Sequence, residues 1–447
     1  MPDLNPTPSE ADTPTADRRP PRALLPLTLL LVILLRITAA VVAPQMLTTD
    51  ADGYIAHAAA TLRHHGFVGP FTGQPTAFRP PLYPLVLAAA LACGLSPSTA
   101  VLLVSIGASV TCSTAVFWLA RSMLGSHRAA LLCALATAID PLLLRYSIQP
   151  MTEVPCAALL TLACAAVAHA AAHGSQPRIQ FAAGLLLAAA ALTRPTVLLA
   201  GAGICLCQLA LAMHSRRSPV SRPMPLHAPI MLAVGLAAGM TPWLLRNAVQ
   251  FHAFMPATTH GGYTLALGNN PDFYRDVIRG TDEFPWDGAA LDQWQQQTLA
   301  TAVQSGINPA DEQALDHFHY ELAFATIRRQ PAEFLQACTL RFRRFWALGQ
   351  AGAPLTTLSL LTACWYLVLW TGLLLRLLQL LRQGRGSLRN VAEIQLWICL
   401  LAFVGTHLFY WTDSRMRTPV MPLLIILATL GCRHLRQPDS GTHSTAT

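Results

Sequence analysis

The chain has 447 residues, 53% of them hydrophobic and only 12% charged, with a formal net charge of +8. A soluble domain carries about 25% charged residues, so this composition disfavours a soluble enzyme and excludes whole-chain disorder or a nucleic-acid module. All thirty basic residues are arginine, which removes lysine-nucleophile and Schiff-base chemistry.

Residues 1–22 are rich in Pro, Thr and Asp, end in Arg18-Arg19-Pro20-Pro21-Arg22, and read as a disordered cytoplasmic tail. The apolar run 23–43 has about the ~20 residues a bilayer needs. It is too long for a signal-peptide core and lacks a convincing cleavage site, so it predicts an uncleaved first helix with its N-terminus inside. An external segment, 44–97, follows. Within it Tyr54, Ala58 and Leu62 fall on one stripe, as in an amphipathic helix lying on the membrane. The run from Pro81 to Leu95 is short of a span and reads as a juxtamembrane or re-entrant helix.

Further apolar runs fall near 98–120, 128–144, 153–172, 179–193, 196–213 and 228–245, then 354–381, 392–411 and 417–432. Arginine-bearing connections separate them at Arg121 to Arg128, His173 to Arg178, Arg216 to Arg222 and Arg382 to Arg389. With these inside, the positive-inside rule is met by about ten crossings. The expected fold is therefore an all-α polytopic membrane protein. Residues 23–248 form an N-terminal transmembrane catalytic module, 354–432 the C-terminal membrane helices, and 433–447 a cytoplasmic tail. Between them, 249–353 holds eleven acids and seven arginines and falls outside. Leu315, Phe318, Leu322 and Ala325 recur at helical steps, so this segment, with Trp286 and Trp294, predicts a small helical cap. All eleven cysteines except Cys338 lie in apolar runs and read as small filler.

Charges inside a bilayer cost ~2.5–3.5 kcal/mol on insertion scales, so charged groups at helix ends need an explanation. Asp50 and Asp52 follow the first helix, and Glu153 opens a later one. Each either solvates a helix end or, as a carboxylate at the water–lipid boundary, deprotonates an acceptor hydroxyl beside a lipid-linked electrophile. Arg79, Arg194, Arg246, Arg415 and Arg417 all fall at external helix ends, against the positive-inside bias. Singly, each can snorkel or bond a carbonyl; together they suit a phosphate, which guanidinium groups bind in a bidentate way. Arg36, inside the first helix, reads as structurally paired. His57, His64 and His65 near Asp50, and His317, His319 and Glu321 in the cap, read as solvated surface, since two ligands do not make a zinc site.

Six fragments then occur in order: Asp50-x-x-x-Tyr54 with Arg79-Pro80-Pro81-Leu82-Tyr83-Pro84; Met151-Thr152-Glu153; Leu192-Thr193-Arg194-Pro195; Thr241-Pro242-Trp243-Leu244-Leu245-Arg246-Asn247; Gly261-Gly262 with Gly268-Asn269-Asn270-Pro271; and Ser414-Arg415-Met416-Arg417-Thr418-Pro419. The set resembles the GT-C glycosyltransferases, in the group of protein O-mannosyltransferases, the lipid A aminoarabinose transferase and bacterial glycosyltransferase family 39. Thr152-Glu153 stands where Ser-Glu is more usual. The resemblance covers the chain except its tails and most of 272–350.

The resemblance implies transfer of a sugar from a polyprenyl-phosphate donor, with inversion, on the extracytoplasmic side of a bacterial inner membrane. The acceptor would be a lipid, glycan or protein, and the surrounding partners membrane lipids. It implies Asp50 as general base, favoured over Asp52 by the step to Tyr54, and Glu153 as the acid that orients the acceptor or shares the proton. Arg79, Arg194, Arg246, Arg415 and Arg417 would bind the donor phosphate; Tyr54, Asn247 and Asn269 would line the substrate site. Some members use a divalent metal ion and others need none. The competing class is a transporter or flippase for an anionic or lipid-linked substrate. It would place polar groups near the midplane of paired halves, whereas these gather at one face.

Overall fold

The computed structural model describes residues 24–215, 224–280, 286, 288–349, 356–383 and 390–433. The two expected tails, except residue 433, lie outside the described residues, as do the connections at 216–223 and 384–389. The described chain is predominantly helical, with one isolated bridge between Val68 and Pro75, and the all-α expectation holds.

Ten helical passes connect two opposite faces. They are α1 (Leu24–Val42), α4 (Pro97–Leu124), α5 with α6 (His127–Ile139, Pro141–Tyr146), α7 (Glu153–Ala172), α8 (Pro177–Ala191), α9 (Thr196–Ser215), α10 (His227–Phe251), α16 (Thr357–Gln383), α17 (Val391–Phe409) and α18 (Met421–Arg433). Eight of these are long and apolar enough to cross a membrane, α18 only together with the turn before it (Ser414–Arg433); α5 and α8 are shorter. The expected run at 128–144 is broken at Asp140-Pro141. There Asp140 Oδ1 accepts from Leu142 N (3.1 Å) and Leu143 N (3.0 Å), capping α6, and proline suits a first helical position because it lacks the N–H that would go unbonded.

Side-chain ties identify the faces. Asp52, Glu153, Arg194 and Arg415 meet on one, joining the ends of α1, α7, α8 and α17. On the other, Arg433 donates to Leu124 O, and His227 Nε2 lies 2.8 Å from Ser175 O. Because α4 and α5–α6 already carry the chain away and back, α3 (Leu82–Ala92) makes no additional crossing. It and α2 (Tyr54–His64) lie at the site face, as the arginine count predicts.

Glycines let the helices approach closely. A Cβ on Gly235 of α10 would lie 2.1 Å from Phe181 O on α8, and one on Gly431 of α18 2.0 Å from Gly372 O on α16. Small residues at crossings allow the backbone contact that drives packing where water is absent. Arg36 is buried in α1, bonded to Ser109 Oγ (3.2 Å) and Ala138 O, which is the structural pairing expected of it.

The segment after α10 folds as helices above the site face: α11 (Gly261–Leu267), the single turn α12 (Pro271–Phe273), α13 (Gly288–Gln304), α14 (Glu312–Arg329) and α15 (Pro331–Phe345). Its core is Leu265, Phe273, Tyr274, Trp286, Trp294, Ala323 and Ala337. The helical period read through Leu315, Phe318, Leu322 and Ala325 is present in α14, which ends before Pro331, where α15 begins, since Pro331 has no N–H to continue the ladder. A 3-10 turn, Ser414–Val420, joins α17 to α18 and carries the last arginine motif.

Candidate active site

The motifs at 50–54, 79–84, 151–153, 192–195 and 413–416 occupy neighbouring helix ends, so residues up to 363 positions apart converge. Glu153, the first residue of α7, is fully buried. Its Oε1 accepts from Arg194 Nη1 at 2.6 Å and from Arg415 Nε. Arg415 Nη2 also donates to Asp52 Oδ2, and Arg79 Nη2 reaches Asp52 Oδ1 at 3.4 Å. Three guanidinium groups thus share two carboxylates, leaving one surplus positive charge in the directly paired cluster. Sulfur atoms take further donors: Met416 Sδ from Arg194 at 3.1 Å and Met151 Sδ from Arg415 at 2.9 Å.

Aromatic rings position the cations. Arg79 lies 5.6 Å over Tyr54 and 5.2 Å over Phe78, and Arg415 5.8 Å over Tyr146, where the negative ring faces attract a guanidinium. Tyr54 is buried and meets Tyr83 edge-on at 5.4 Å. Burial raises the Tyr83 phenol, and Tyr54, Glu153 and Asp50 raise it further, so Tyr83 lies within electrostatic reach of both carboxylates. Burial alone would raise the Asp52 carboxyl, but Arg415 and then Arg79 outweigh it and hold it below the ordinary value.

Asp50 stands apart from this network. Its Oδ2 accepts from Ala56 N at 2.9 Å in the first turn of α2, while Oδ1 is buried with no partner among the described residues. Of the two competing aspartates, Asp52 is therefore the one that meets the arginines; Asp50 is the one with a free oxygen.

Arg79, Arg194 and Arg415 gather as expected, but Arg246 and Arg417 do not. Arg246 donates to Phe67 O and Thr76 O, both at 2.7 Å, and to Asn247 Oδ1 at 3.0 Å. It thereby fastens the first external loop to α10. Arg417 is buried, bonded to Phe345 O at 2.6 Å and stacked 4.4 Å over Tyr366. Asn247 and Asn269 are fully buried and structurally engaged. Asn247 donates to Met255 O at 3.1 Å, and Asn269 holds Leu265 O (2.8 Å), Phe409 O (2.9 Å), Tyr274 (3.0 Å) and Arg341 (2.9 Å). Asn269, with both N–H groups and both oxygen lone pairs engaged, has nothing left to offer a substrate. The sequence patterns place these residues at the correct helix ends, but a helix end does not say which way a side chain turns.

Two histidines expected at the surface are buried. His57 stacks on Phe67 with Nδ1 3.3 Å from Val68 O, and His319 packs edge-on against Tyr263. His64, His65 and His317 are exposed. Among the described residues no three His, Cys, Asp or Glu side chains converge as metal ligands. The Asp52 oxygens and Glu153 Oε1 face guanidinium groups.

Other residues at the site lie outside the sequence expectations. Glu312, at the start of α14, accepts from Thr76 Oγ1, Ala77 N (3.0 Å) and Thr259 Oγ1 (2.9 Å), tying the cap to the loop that carries Arg79. His260 lies 4.3 Å from Phe78 and stacks on Tyr263, its buried Nδ1 without a partner. Burial pushes its imidazole down to about 3, with Arg79 adding to the effect, so it is neutral. Asp413 accepts from Arg415 N at 2.8 Å. Tyr83 lay inside a quoted motif; Glu312 offered no signal beyond an acid in a first helical turn.

The fold and this arrangement define a polytopic all-α membrane protein with its charged groups gathered at one face. Residues 78–243 match the family described as dolichyl-phosphate-mannose-protein mannosyltransferase. The fold is shared with the oligosaccharyltransferase of Archaeoglobus fulgidus. AglB in complex with an inhibitory peptide and a dolichol-phosphate superposes with a TM-score of 0.53 at 14% identity, over 92% of this chain and 50% of that one. The form tethered to an acceptor peptide containing the NVT sequon gives 0.54 at 14%, over 93% and 50%, and the complex with Zn and sulfate 0.51 at 15%, over 92% and 49%. The chain thus spans about half the length of the structures it matches. No curated protein matches its sequence. The GT-C resemblance therefore stands on a family match and on a shared fold.

Proposed function

We propose that this protein is an integral-membrane glycosyltransferase. It moves a hexosyl or pentosyl unit from a polyprenyl-phosphate donor to a lipid, glycan or protein acceptor, with inversion. The reaction takes place on the extracytoplasmic face of a bacterial inner membrane, the side opposite the arginine-bearing connections. The observation that carries the reading is the division of labour among three acids and three arginines at one set of helix ends.

As the bond from the anomeric carbon to the phosphate oxygen breaks, negative charge grows on the phosphate. Arg79, Arg194 and Arg415 are cations already in place to meet it, so little reorganisation is needed. Glu153 and Asp52 fix the guanidinium groups and limit their mutual repulsion. The same ties make both acids poor proton acceptors, because a carboxylate stabilised by cations has little affinity for a proton. Asp50 is the remaining carboxylate. Its bond to Ala56 N fixes its direction, and a buried oxygen without a partner, a state that costs roughly 1–3 kcal/mol, suits an incoming hydroxyl or amine. Asp50 takes that proton, and the nucleophile attacks the anomeric carbon in line.

The test is incubation of proteoliposomes with radiolabelled polyprenyl-phosphate sugars and identification of the labelled product. Transfer is expected, and Asp50→Asn should abolish it while the folded protein stays in the membrane. Full activity of Asp50→Asn would overturn the base assignment; absence of transfer from every polyprenyl-phosphate sugar would overturn the function.

A further inference from the structure

Residues 66–78 contain no charged side chain. They form a tight hairpin closed by an antiparallel bridge between Val68 and Pro75, with Gly69 N donating to Gln74 O at 2.9 Å and Gly73 N to Gly69 O at 3.0 Å. At its tip Phe71 is 97% exposed, the most exposed large apolar side chain among the described residues. In water such a ring gains nothing from its position, and large apolar groups left uncovered mark contact surfaces.

The position of the hairpin identifies what covers it. Both its strands are fastened to α10 by Arg246, through Phe67 O and Thr76 O. The helix α10 has 25 residues, about 37 Å at 1.5 Å per residue, longer than a hydrocarbon core of about 30 Å. The Arg246 end therefore falls at the membrane–water boundary. Its guanidinium is ringed there by Trp243 (5.1 Å), Phe251 (5.3 Å) and Phe67 (5.8 Å), the aromatic composition of an interfacial belt. Leu245 and Val249 on the same helix are exposed, and the apolar stripe runs on to Phe254, 79% exposed just past its end.

We propose that the 66–76 hairpin is a lipid-contacting finger that sets the Phe71 ring among the acyl chains of the leaflet on the site's side. The occupant is bilayer lipid. The hairpin has no charge to desolvate, its backbone polar groups are partly bonded internally, and its base is fixed to a membrane helix. Arg79 follows its last strand by a few residues, and Glu312 holds Thr76 and Ala77 between them, so the lipid contact adjoins the candidate site.

The test uses the full-length protein in phosphatidylethanolamine–phosphatidylglycerol proteoliposomes bearing radiolabelled phospholipid acyl chains. A Phe71→p-benzoylphenylalanine variant is irradiated beside the same substitution at Leu245, exposed on the apolar membrane helix α10, and at His317, exposed on the cap. A lipid adduct at position 71 at least half as abundant as that at 245, and at least fivefold above that at 317, supports the finger. A yield at 71 no higher than at 317, or an adduct to a second copy of the chain in place of lipid, overturns it. Phe71 packs against nothing that folding requires, and the readout is independent of any transferase activity, so the two readings fail separately.

Discussion

Replacing Glu153 by glutamine probes the charge network with almost no change of shape. Glu153 is fully buried and its Oε1 serves two guanidinium groups. The amide keeps one acceptor oxygen but loses the charge, so Arg79, Arg194 and Arg415 are left with Asp52 alone. Breaking a buried ion pair by removing one partner costs about 3–5 kcal/mol. The arginine side chains are 13% and 18% exposed, which points to the lower half of that range. Unfolding entropy scales with chain length, so 1 kcal/mol corresponds to on the order of 1 °C in a chain of this size. A drop of about 3 °C is expected in a thermal-shift assay in detergent. Glu153→Gln with Arg194→Gln removes one charge of each sign, and its cost should fall short of the sum of the single costs by about 1–3 kcal/mol, the coupling usual for contacting residues. Strictly additive costs would refute the pairing, as would a Glu153→Gln protein melting with the wild type.

Arg246→Ala removes two charge-assisted bonds to loop carbonyls, each worth about 1.5–3 kcal/mol; hydrogen exchange should accelerate across 66–79 while the membrane helices keep their protection. Gly235→Ala forces a methyl group against Phe181 O, and overpacking of about 1–3 kcal/mol should lower the yield of monodisperse protein in detergent chromatography. Between pH 6.5 and about 3 the unfolded chain binds a proton at His260 that the folded chain refuses, so acidification subtracts stability. The loss between pH 6.5 and 5 is at most about 2 kcal/mol, and His260→Gln should show a shallower decline in Tm over that interval. Asp52, held below the ordinary carboxylate value by its arginines, contributes stability that is present above the unfolded value near 4 and is lost only as pH falls further; Asp52→Asn should therefore flatten the acid limb below pH 4 and leave the limb above pH 5 unchanged.

The membrane passes were legible because bilayer thickness and arginine placement constrain sequence strongly. The chain could be followed from 23–43 to 417–432, and the short run at 81–95 kept to one face. The end of α5 was less legible, since Asp140 breaks an apolar stretch only by virtue of its caps and of Trp365 Nε1, 3.0 Å away and 225 residues on. At the candidate site, residue type and helix-end position singled out Arg79, Arg194, Arg415, Asp52 and Glu153, which the structure brings together. The same two criteria selected Arg246, Arg417, Asn247 and Asn269, which serve the scaffold. The difference lies in rotamer and in tertiary neighbours, and neither is written in local spacing. Glu312 shows the same limit from the other side: its three partners come from loops far away in the chain.

The two first-loop aspartates show why proximity to cations is a poor guide to a base. A carboxylate among guanidinium groups is well placed to organise them, and the attraction that holds it there also lowers its proton affinity. Asp52 is in that position. Asp50, two residues earlier, is turned by the start of α2 so that one oxygen caps a helix and the other is buried without a partner. If a single carboxylate had to steady the arginines and accept a proton, strengthening either task would weaken the other. In the proposed mechanism, separating the tasks over Asp50, Asp52 and Glu153 would let the cation cluster hold phosphate tightly without neutralising the base. Gly53, with φ of 75°, follows Asp52 and turns the backbone into α2, whose Ala56 N–H meets Asp50, and a left-handed residue of that kind is most easily supplied by glycine.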